Sequence, residues 1–379
     1  MLTGDWLTHP ATQSLLAGLE AAGFAALFVG GCVRNALLGV PVLDTDLATD
    51  ARPETVSNIA RSLGFRSVPT GILHGTVTIL AGGRALEVTT FRRDAQTDGR
   101  HAVVAFTSDV ATDAARRDFT MNALYADRHG QIIDPLGGLP DLLAARVRFV
   151  GDPDQRITED YLRILRFFRF HAHYGDPAMG IDAEGLAACA AHADQIPALS
   201  RERIGAEMRK LLAAPDPAPS VASMAQAGVL AQVLPGADPT ALAPLVHLES
   251  GIPPRWQRRL AVIGGQDPAG NLRLSRKEAR DLGLVRDEIG TTHTPAALGW
   301  LLKPDLAQDA ILARAALLEA PLPPHWRADI ARGATARLPV TATDLQPAHQ
   351  GAQLGARLKD IQARWLASDL TLAKHDLLD

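Results

Sequence analysis

The sequence predicts an α+β protein: a small mixed or antiparallel sheet with helices, followed by a remainder that is helical throughout. Three observations carry this expectation. Before about residue 150, short β-rich runs alternate with glycine turns. After it strands nearly vanish, and the remaining segments have helical composition and spacing. The length, 379 residues, exceeds one small core and favours roughly two or three domains.

In order along the chain, residues 11–21 read as a helix, "ALFVGG" as a strand ending in a glycine turn, and residues 33–38 as a short helix. "GTVTILAGGRALEVTTF" reads as a hairpin through "AGGR" and "NALYADRHGQIIDP" as another through "RHG". Between the strands "ALEVTTF" and "AVVAF", the polar, glycine-bearing residues 92–101 read as a surface loop. "ITEDYLRILRFFRFHAHYG", "SRERIGAEMRKLLAA", "SRKEARDLGL" and "GAQLGARLKDIQARWLAS" read as helices, with prolines in "APDPAPS", "SGIPPRW" and "EAPLPPHW" marking boundaries. No fixed-period repeat is evident.

Hydrophobic content of 47% and charged content of 21% describe an ordinary globular chain. A formal net charge of −4 gives no global basic field, although a local basic face can still bind nucleic acid. Cys32 and Cys189, far apart, make no disulfide framework and favour a reducing compartment. The N-terminal residues have no basic region of the signal-peptide kind, and no charge-free apolar run reaches the ~18 residues of a membrane span. The expectation is a soluble, cytoplasmic protein.

The stretch "FVGGCVRNALLGVPVLDTDLATD" concentrates the chemistry. Gly30 and Gly31, between strand and helix, let a backbone approach a ligand, and free amides at a helix start favour phosphate. Arg34, in the first helical turn, could add a charge-assisted contact. Alone, such a turn is more often structural. On a strand, Asp44 and Asp46 would project to one face, and neighbouring carboxylates repel unless a proton or cation sits between them. Mg2+ is held by one or two carboxylates and completed by substrate phosphates, and a two-metal site would suit phosphoryl displacement. Glu87, on a following strand, reads either as a third carboxylate or as a surface ion-pairing residue.

"GGCVRNALLG…DTDLAT", "RRDFTMNALY", "DPLGGLPDL" and "EDYLRILRFFRF", in that order, resemble the class II tRNA nucleotidyltransferases. These are CCA-adding enzymes in the polymerase β-like superfamily that includes bacterial poly(A) polymerase. The match runs from about residue 28 to 215 and extends loosely beyond. The resemblance implies a nucleotidyltransferase head at 1–140 and a helical neck at 141–215 that selects the base. A helical body at 216–300 and a helical tail at 301–379 that contacts tRNA would follow. It implies template-free addition of C, C and A to the 3′ end of tRNA from CTP and ATP, with Mg2+ and pyrophosphate release.

By motif, Asp44 and Asp46 would hold metal, with Glu87 as a further catalytic carboxylate. Gly30, Gly31, Arg34, Arg117, Asp118 and Asn122 would serve the nucleotide, Asn122 reaching the ribose. Asp160 and Arg163, three apart on a helix face, would form an amino-acid template, with Arg166 and Arg169 continuing the same step. A carboxylate accepts from an exocyclic amino group and a guanidinium donates to ring acceptors, so the pair would take C and A and reject U and G. The loop at 92–101 would accompany the change from C to A addition. The partner implied is tRNA, at its acceptor arm and 3′ end, which "RFFRF", "SRERIGAEMRK" and "PPRWQRR" could track, each reading equally as a solvated helix face; no membrane and no obligatory protein partner is expected. Alternatives are a poly(A) polymerase, a partial CC- or A-adding enzyme, or a non-catalytic tRNA-binding protein. Two departures stand out: Asn35, where the family has aspartate, and Ala342, where glycine is usual.

Overall fold

The computed structural model describes residues 1–98, 101–346 and 348–379, without the side chains of 73, 94–98 and 101–104. Two compact units form, Met1–Leu199 with Gln226–Val229, and Ser200–Ala225 with Leu230–Asp379.

The first unit is α+β, as expected. Strand β1 (Ala26–Val29) is buried along its whole length. It pairs antiparallel with β2 (Asp46–Thr49) on one side and with β8 (Tyr125–Ala126) on the other. On its far side β2 runs parallel to β5 (Arg84–Thr90), the one parallel pair of a sheet that also contains β3 (Arg66–Gly71), β4 (Thr76–Ala81) and β9 (Ile132–Ile133). The order is β3-β4-β5-β2-β1-β8-β9. The turn between β4 and β5 uses Gly82 and Gly83 at φ 57° and 78°, the left-handed geometry that a two-residue hairpin turn demands. Both hairpins thus form as the sequence predicts.

The segment expected to be a surface loop is different. Arg92–Asp98 forms β6, paired antiparallel with β7 (His101–Phe106) from Arg92↔Phe106 to Asp98↔His101. The β-rich run "HAVVAF" offers a backbone ladder, and the polar segment pairs along it with a register shift between Asp94 and Gln96. Residues 99 and 100 lie outside the described residues.

Under the sheet, Leu27, Val29, Ala48, Phe91, Tyr125 and Val150 pack into a core. An aromatic group adjoins the site described below: Phe149 stacks on Phe167 at 5.3 Å and Phe119 meets Phe170 at 4.9 Å. These pairs contribute beyond their buried area.

The expected single helix from Ile157 to Tyr174 is two helices, Pro153–Glu159 and Leu162–Tyr174. Asp160 breaks it, with extended backbone at φ −156° and ψ 102°. Its carboxylate accepts the Leu162 N–H (3.1 Å) and its carbonyl the Arg163 N–H (2.9 Å). Aspartate competes with the helix in this way and favours cap positions.

The second unit is helical in its described residues. Ser275 and Glu278 form a capping box that opens the Arg276–Ile289 helix. Gly299 and Gly333 let the helices Pro295–Leu301 and Trp326–Thr335 touch backbone to backbone; a Cβ on Gly333 would lie 1.9 Å from the Ala296 carbonyl oxygen. A separate core gathers Val340, Leu345, Ile361, Trp365 and Leu377. Ala342 opens a short 3-10 turn without positive φ, so glycine is not required there.

One expectation for this unit fails. Arg258 and Arg259 of "PPRWQRR" are 0% and 1% exposed, so they cannot track a ligand's backbone. Arg258 pairs with Glu249 (2.6 Å) and Asp309 (3.2 Å), and Arg259 with Glu249 (2.7 Å). Arg259 also donates to the carbonyls of Leu212 (2.7 Å) and Pro215 (3.0 Å), groups at and beyond a helix C-terminus. Two adjacent carboxylates in a dry interior draw the guanidinium groups inward. Among the described residues, no helix is long and apolar enough to cross a membrane.

Candidate active site

The site grows from the edge where β1 and β2 present their ends. After β1 the chain turns at Gly30, at φ 69° and ψ −119°, a conformation that an L side chain avoids. Gly31 then starts the helix Gly31–Leu37. Across the turn, Asp46 is the first residue of β2, while Asp44 lies in the irregular segment before it; both are exposed, and Thr45 between them is buried. The alternation puts both carboxylates on one side, although only Asp46 belongs to the strand. Because β2 and β5 run parallel, Glu87 stands directly opposite Asp46 in the register. Lost solvation, then the Glu87 charge, push the Asp46 carboxyl above its ordinary value; Asp44 acts the same way and the Arg117 guanidinium opposes it. Asp46 nevertheless keeps surface open to water.

Three negative groups gathered at one edge are what a divalent cation would relieve. Among the described residues no group of three or more His, Cys, Asp or Glu side chains closes around a metal position. An incomplete protein ligand set fits a hard cation that takes its remaining oxygens from a phosphate ligand and water. Beside Asp44 an open cavity of about 550 Å³ is lined by Asp5, Trp6, Leu43 and Arg84. Beneath, Cys32 donates to the Val29 carbonyl (3.3 Å), and burial pushes its thiol up to about 11, so it is a packed residue and no nucleophile.

Arg117 lies close to the glycine turn: a Cβ on Gly30 would be 3.5 Å from its Nη1. Its Nε donates to the Tyr125 hydroxyl (3.0 Å) and its Nη2 to Asp113 (3.1 Å). Asp113, 1% exposed, also receives Arg116 (2.8 Å) and the Tyr125 hydroxyl (2.7 Å). Burial opposes its charge, but Arg116 and Arg117 hold the carboxyl below the usual carboxylate range.

Arg34 is only 7% exposed. Its Nη1 donates to Asn122 Oδ1 (2.5 Å), its Nε and Nη2 to Asn35 Oδ1 (3.2 and 2.9 Å), and its Nη2 also to the Tyr174 hydroxyl (2.8 Å). Asn35 thus keeps, as a neutral acceptor, the bonds its position offers. Asn122 closes the 3-10 turn Thr120–Asn122 and donates to Asp118 Oδ1 (2.9 Å). The helical spacing assumed for Asp118 and Asn122 is therefore absent, yet the two side chains meet. Arg166 grips Asp118 through Nε (2.8 Å) and Nη2. Burial opposes the Asp118 charge; Arg166 and Asn122 keep the carboxyl lowered. A continuous chain results: Tyr174, Arg34, Asn122, Asp118, Arg166.

On the Leu162–Tyr174 helix, Arg163, Arg166 and Arg169 are half-buried while their neighbours are buried. Arg166 and Arg169 both lie over the Phe170 ring, at 5.4 and 4.5 Å. Asp160 lies before this helix, where its carboxylate accepts the Leu162 N–H, and is not a partner on its face. Arg163 donates from Nη1 to Glu159 (2.5 Å) and the Arg156 carbonyl (2.8 Å), and from Nη2 to the Arg116 carbonyl (3.1 Å). Glu159 also receives Arg156 at 2.6 Å. Glu159, Asp113, Tyr125 and Tyr174 escaped the sequence reading. The spacing Asp113-x-x-Arg116-Arg117 and the four-residue step from Glu159 to Arg163 were visible signals. Nothing in the sequence linked Tyr174 to Arg34.

Residues 26–148 match the Poly A polymerase head domain, and residues 178–240 match the probable RNA and SrmB-binding site of polymerase A. The mitochondrial CCA tRNA nucleotidyltransferase 1 of Mus musculus is 45% identical over 184 residues, covering 48% of this chain and 42% of that protein. The CCA-adding enzyme of Lacticaseibacillus paracasei is 43% identical over 211 residues, covering 54% and 51%. The matches span about half the length of these curated relatives. The crystal structure of the Bacillus stearothermophilus CCA-adding enzyme in complex with CTP superposes with a TM-score of 0.74 at 27% identity, covering 97% of this chain and 94% of that one. The head-domain match covers the Gly30 turn and the Asp44–Asp46–Glu87 edge, and the fold is similar along nearly the whole chain to that of a CCA-adding enzyme.

Proposed function

We propose that this protein adds C, C and A to the 3′ end of tRNA, from CTP and ATP, without a nucleic-acid template. The observation that carries the reading is the Asp46↔Glu87 register beside Asp44, next to a glycine turn that Arg117 borders. Asp44 and Asp46 would hold Mg2+ with the triphosphate, and Glu87 would face the incoming 3′ hydroxyl. Bound there, the ion stabilises negative charge on the phosphoryl oxygens and acidifies the attacking hydroxyl. Arg34 and Arg117 answer the triphosphate charge, and Asn122, held between Asp118 and Arg34, reaches the ribose.

Asp160 and Arg163 select the base. A cytosine or adenine amino group donates to the carboxylate while the guanidinium donates to the ring nitrogen. Glu159 holds Arg163 for this, so the guanidinium exchanges a carbonyl partner for a base without losing its carboxylate anchor. In this reading residues 1–140 form the head, 141–215 the neck, 216–300 the body and 301–379 the tail that meets tRNA. With Arg258 and Arg259 buried, contact with RNA phosphates falls to exposed side chains such as Lys210. Two buried free thiols suit a reducing, cytoplasmic setting.

Incubation of the protein with tRNA lacking its 3′ CCA tests the reading. With CTP alone two nucleotides should be added, and with CTP and ATP three. Long tails from ATP alone, with CTP ignored, would make the protein a poly(A) polymerase; binding of tRNA without incorporation would make it a non-catalytic binder.

A further inference from the structure

Arg34 is held in an unusual way for a buried cation. Four of the five N–H donors of a guanidinium are taken by protein acceptors, and all three acceptor residues, Asn35, Asn122 and Tyr174, are neutral. The ring of Tyr174 lies 4.1 Å from the guanidinium carbon and that of Phe170 5.2 Å, so two aromatic rings border the charge. The nearby carboxylate, Asp118, is gripped by Arg166. The positive charge is thus fixed in place without being neutralised by a directly bonded anion. Gly31 places no side chain against the guanidinium: a Cβ there would lie 3.8 Å from Nη2, and the glycine has none. Burial depresses the guanidinium's proton affinity, a cost that an arriving anion would offset.

We propose that Tyr174 is a positioning residue for polyphosphate binding: its hydroxyl fixes Nη2 and its ring borders the guanidinium, so that Arg34 meets the nucleotide's phosphates with its charge uncompensated. The proposal rests on the nucleotidyl-transfer reading and assigns a specific role within it. Tyr174 sits at the end of the Leu162–Tyr174 helix, 140 residues from Arg34. It acts through the arginine and touches no reacting atom. The chemistry favours di- and triphosphates over monophosphates, because only the longer chains bring several oxygens within reach of a side chain at the glycine turn.

Tyr174→Phe keeps the ring and removes the hydroxyl; Tyr174→Leu removes both. Calorimetric titration of the full-length proteins with CTP and with CMP, in Mg2+, reads the effect. Tyr174→Phe should weaken CTP about tenfold and Tyr174→Leu about thirtyfold, with CMP affinity unchanged within twofold. In steady-state incorporation, KM for CTP should rise while kcat stays within about threefold, and KM for tRNA should not move. Unchanged CTP affinity in both variants would overturn the proposal. Equal weakening of CTP and CMP would also overturn it, since the effect would then be general loosening of the site. Thermal unfolding within a few degrees of wild type for Tyr174→Phe guards against misfolding, and a CTP loss in that folded variant supports the role even where Tyr174→Leu fails to fold. Failure of the wild-type protein to bind CTP at all would instead sink the functional reading beneath it.

Discussion

Two sets of arginines, one in each compact unit, show how the same side chain can build a scaffold or a site. In the Ser200–Asp379 unit, Arg258 and Arg259 are buried completely, and carboxylates and helix-end carbonyls absorb them. In the Met1–Leu199 unit, Arg34 is held by neutral groups, Arg117 shares one carboxylate with Arg116 and Tyr125, and Arg163 keeps a carboxylate anchor beside two carbonyls. A guanidinium saturated by anions has nothing left to offer a ligand. One positioned by neutral acceptors, or by a single shared anion, keeps charge for the phosphates and bases it would meet. The partners, more than the count of basic residues, separate structure from function.

The contrast can be broken by substitution, starting with the largest expected effect. Asp44→Ala should lower nucleotide incorporation by at least about a thousandfold, through lost stabilisation of phosphoryl charge. Its thermal unfolding and tRNA binding should stay near wild type, because Asp44 is exposed and packs into no core. Undiminished incorporation, read as labelled CMP added to truncated tRNA, would contradict the site. Arg258→Ala belongs to the other class: it leaves Glu249 and Asp309 buried with one cation fewer and should cost about 3–5 kcal/mol of stability. Urea unfolding reads that loss, and at temperatures where the variant remains folded its incorporation rate should match wild type.

Smaller effects sharpen the contrast within the first unit. Arg163→Ala should slow addition and erode discrimination against UTP and GTP by about tenfold to a hundredfold; unchanged selectivity would remove Arg163 from base choice. Glu159→Gln keeps a hydrogen-bond acceptor for Arg163 but removes the charge. It should reduce discrimination by about threefold to tenfold, without the loss of incorporation expected for Asp44→Ala.

Much of this was legible in the residues. The two hairpins were readable because glycine pairs and alternation mark them, and the Asp44–Asp46 pair because period-two spacing places carboxylates together. What stayed hidden depended on tertiary partners. Asp160 interrupts a segment of continuous helical pattern because its side chain prefers to cap, a choice that periodicity alone does not display. "PPRWQRR" reads as a basic patch until Glu249, just before it, and Asp309, far along the chain, draw its arginines inside. The Asp46↔Glu87 pairing needed the parallel β2–β5 register, a long-range arrangement that left Glu87 ambiguous in sequence. Tyr174 became meaningful only once Arg34 was seen bordered by its ring.

The central claim is that Asp44 and Asp46 bind a divalent ion together with a nucleoside triphosphate. Titration of Mn2+, followed by electron paramagnetic resonance in the presence of an unreactive CTP analogue, addresses it directly. Wild-type protein should bind the ion tightly only when the analogue is present, and Asp44→Ala and Asp46→Ala should lose that binding. Equal Mn2+ affinity and stoichiometry in wild type and both variants would contradict the account.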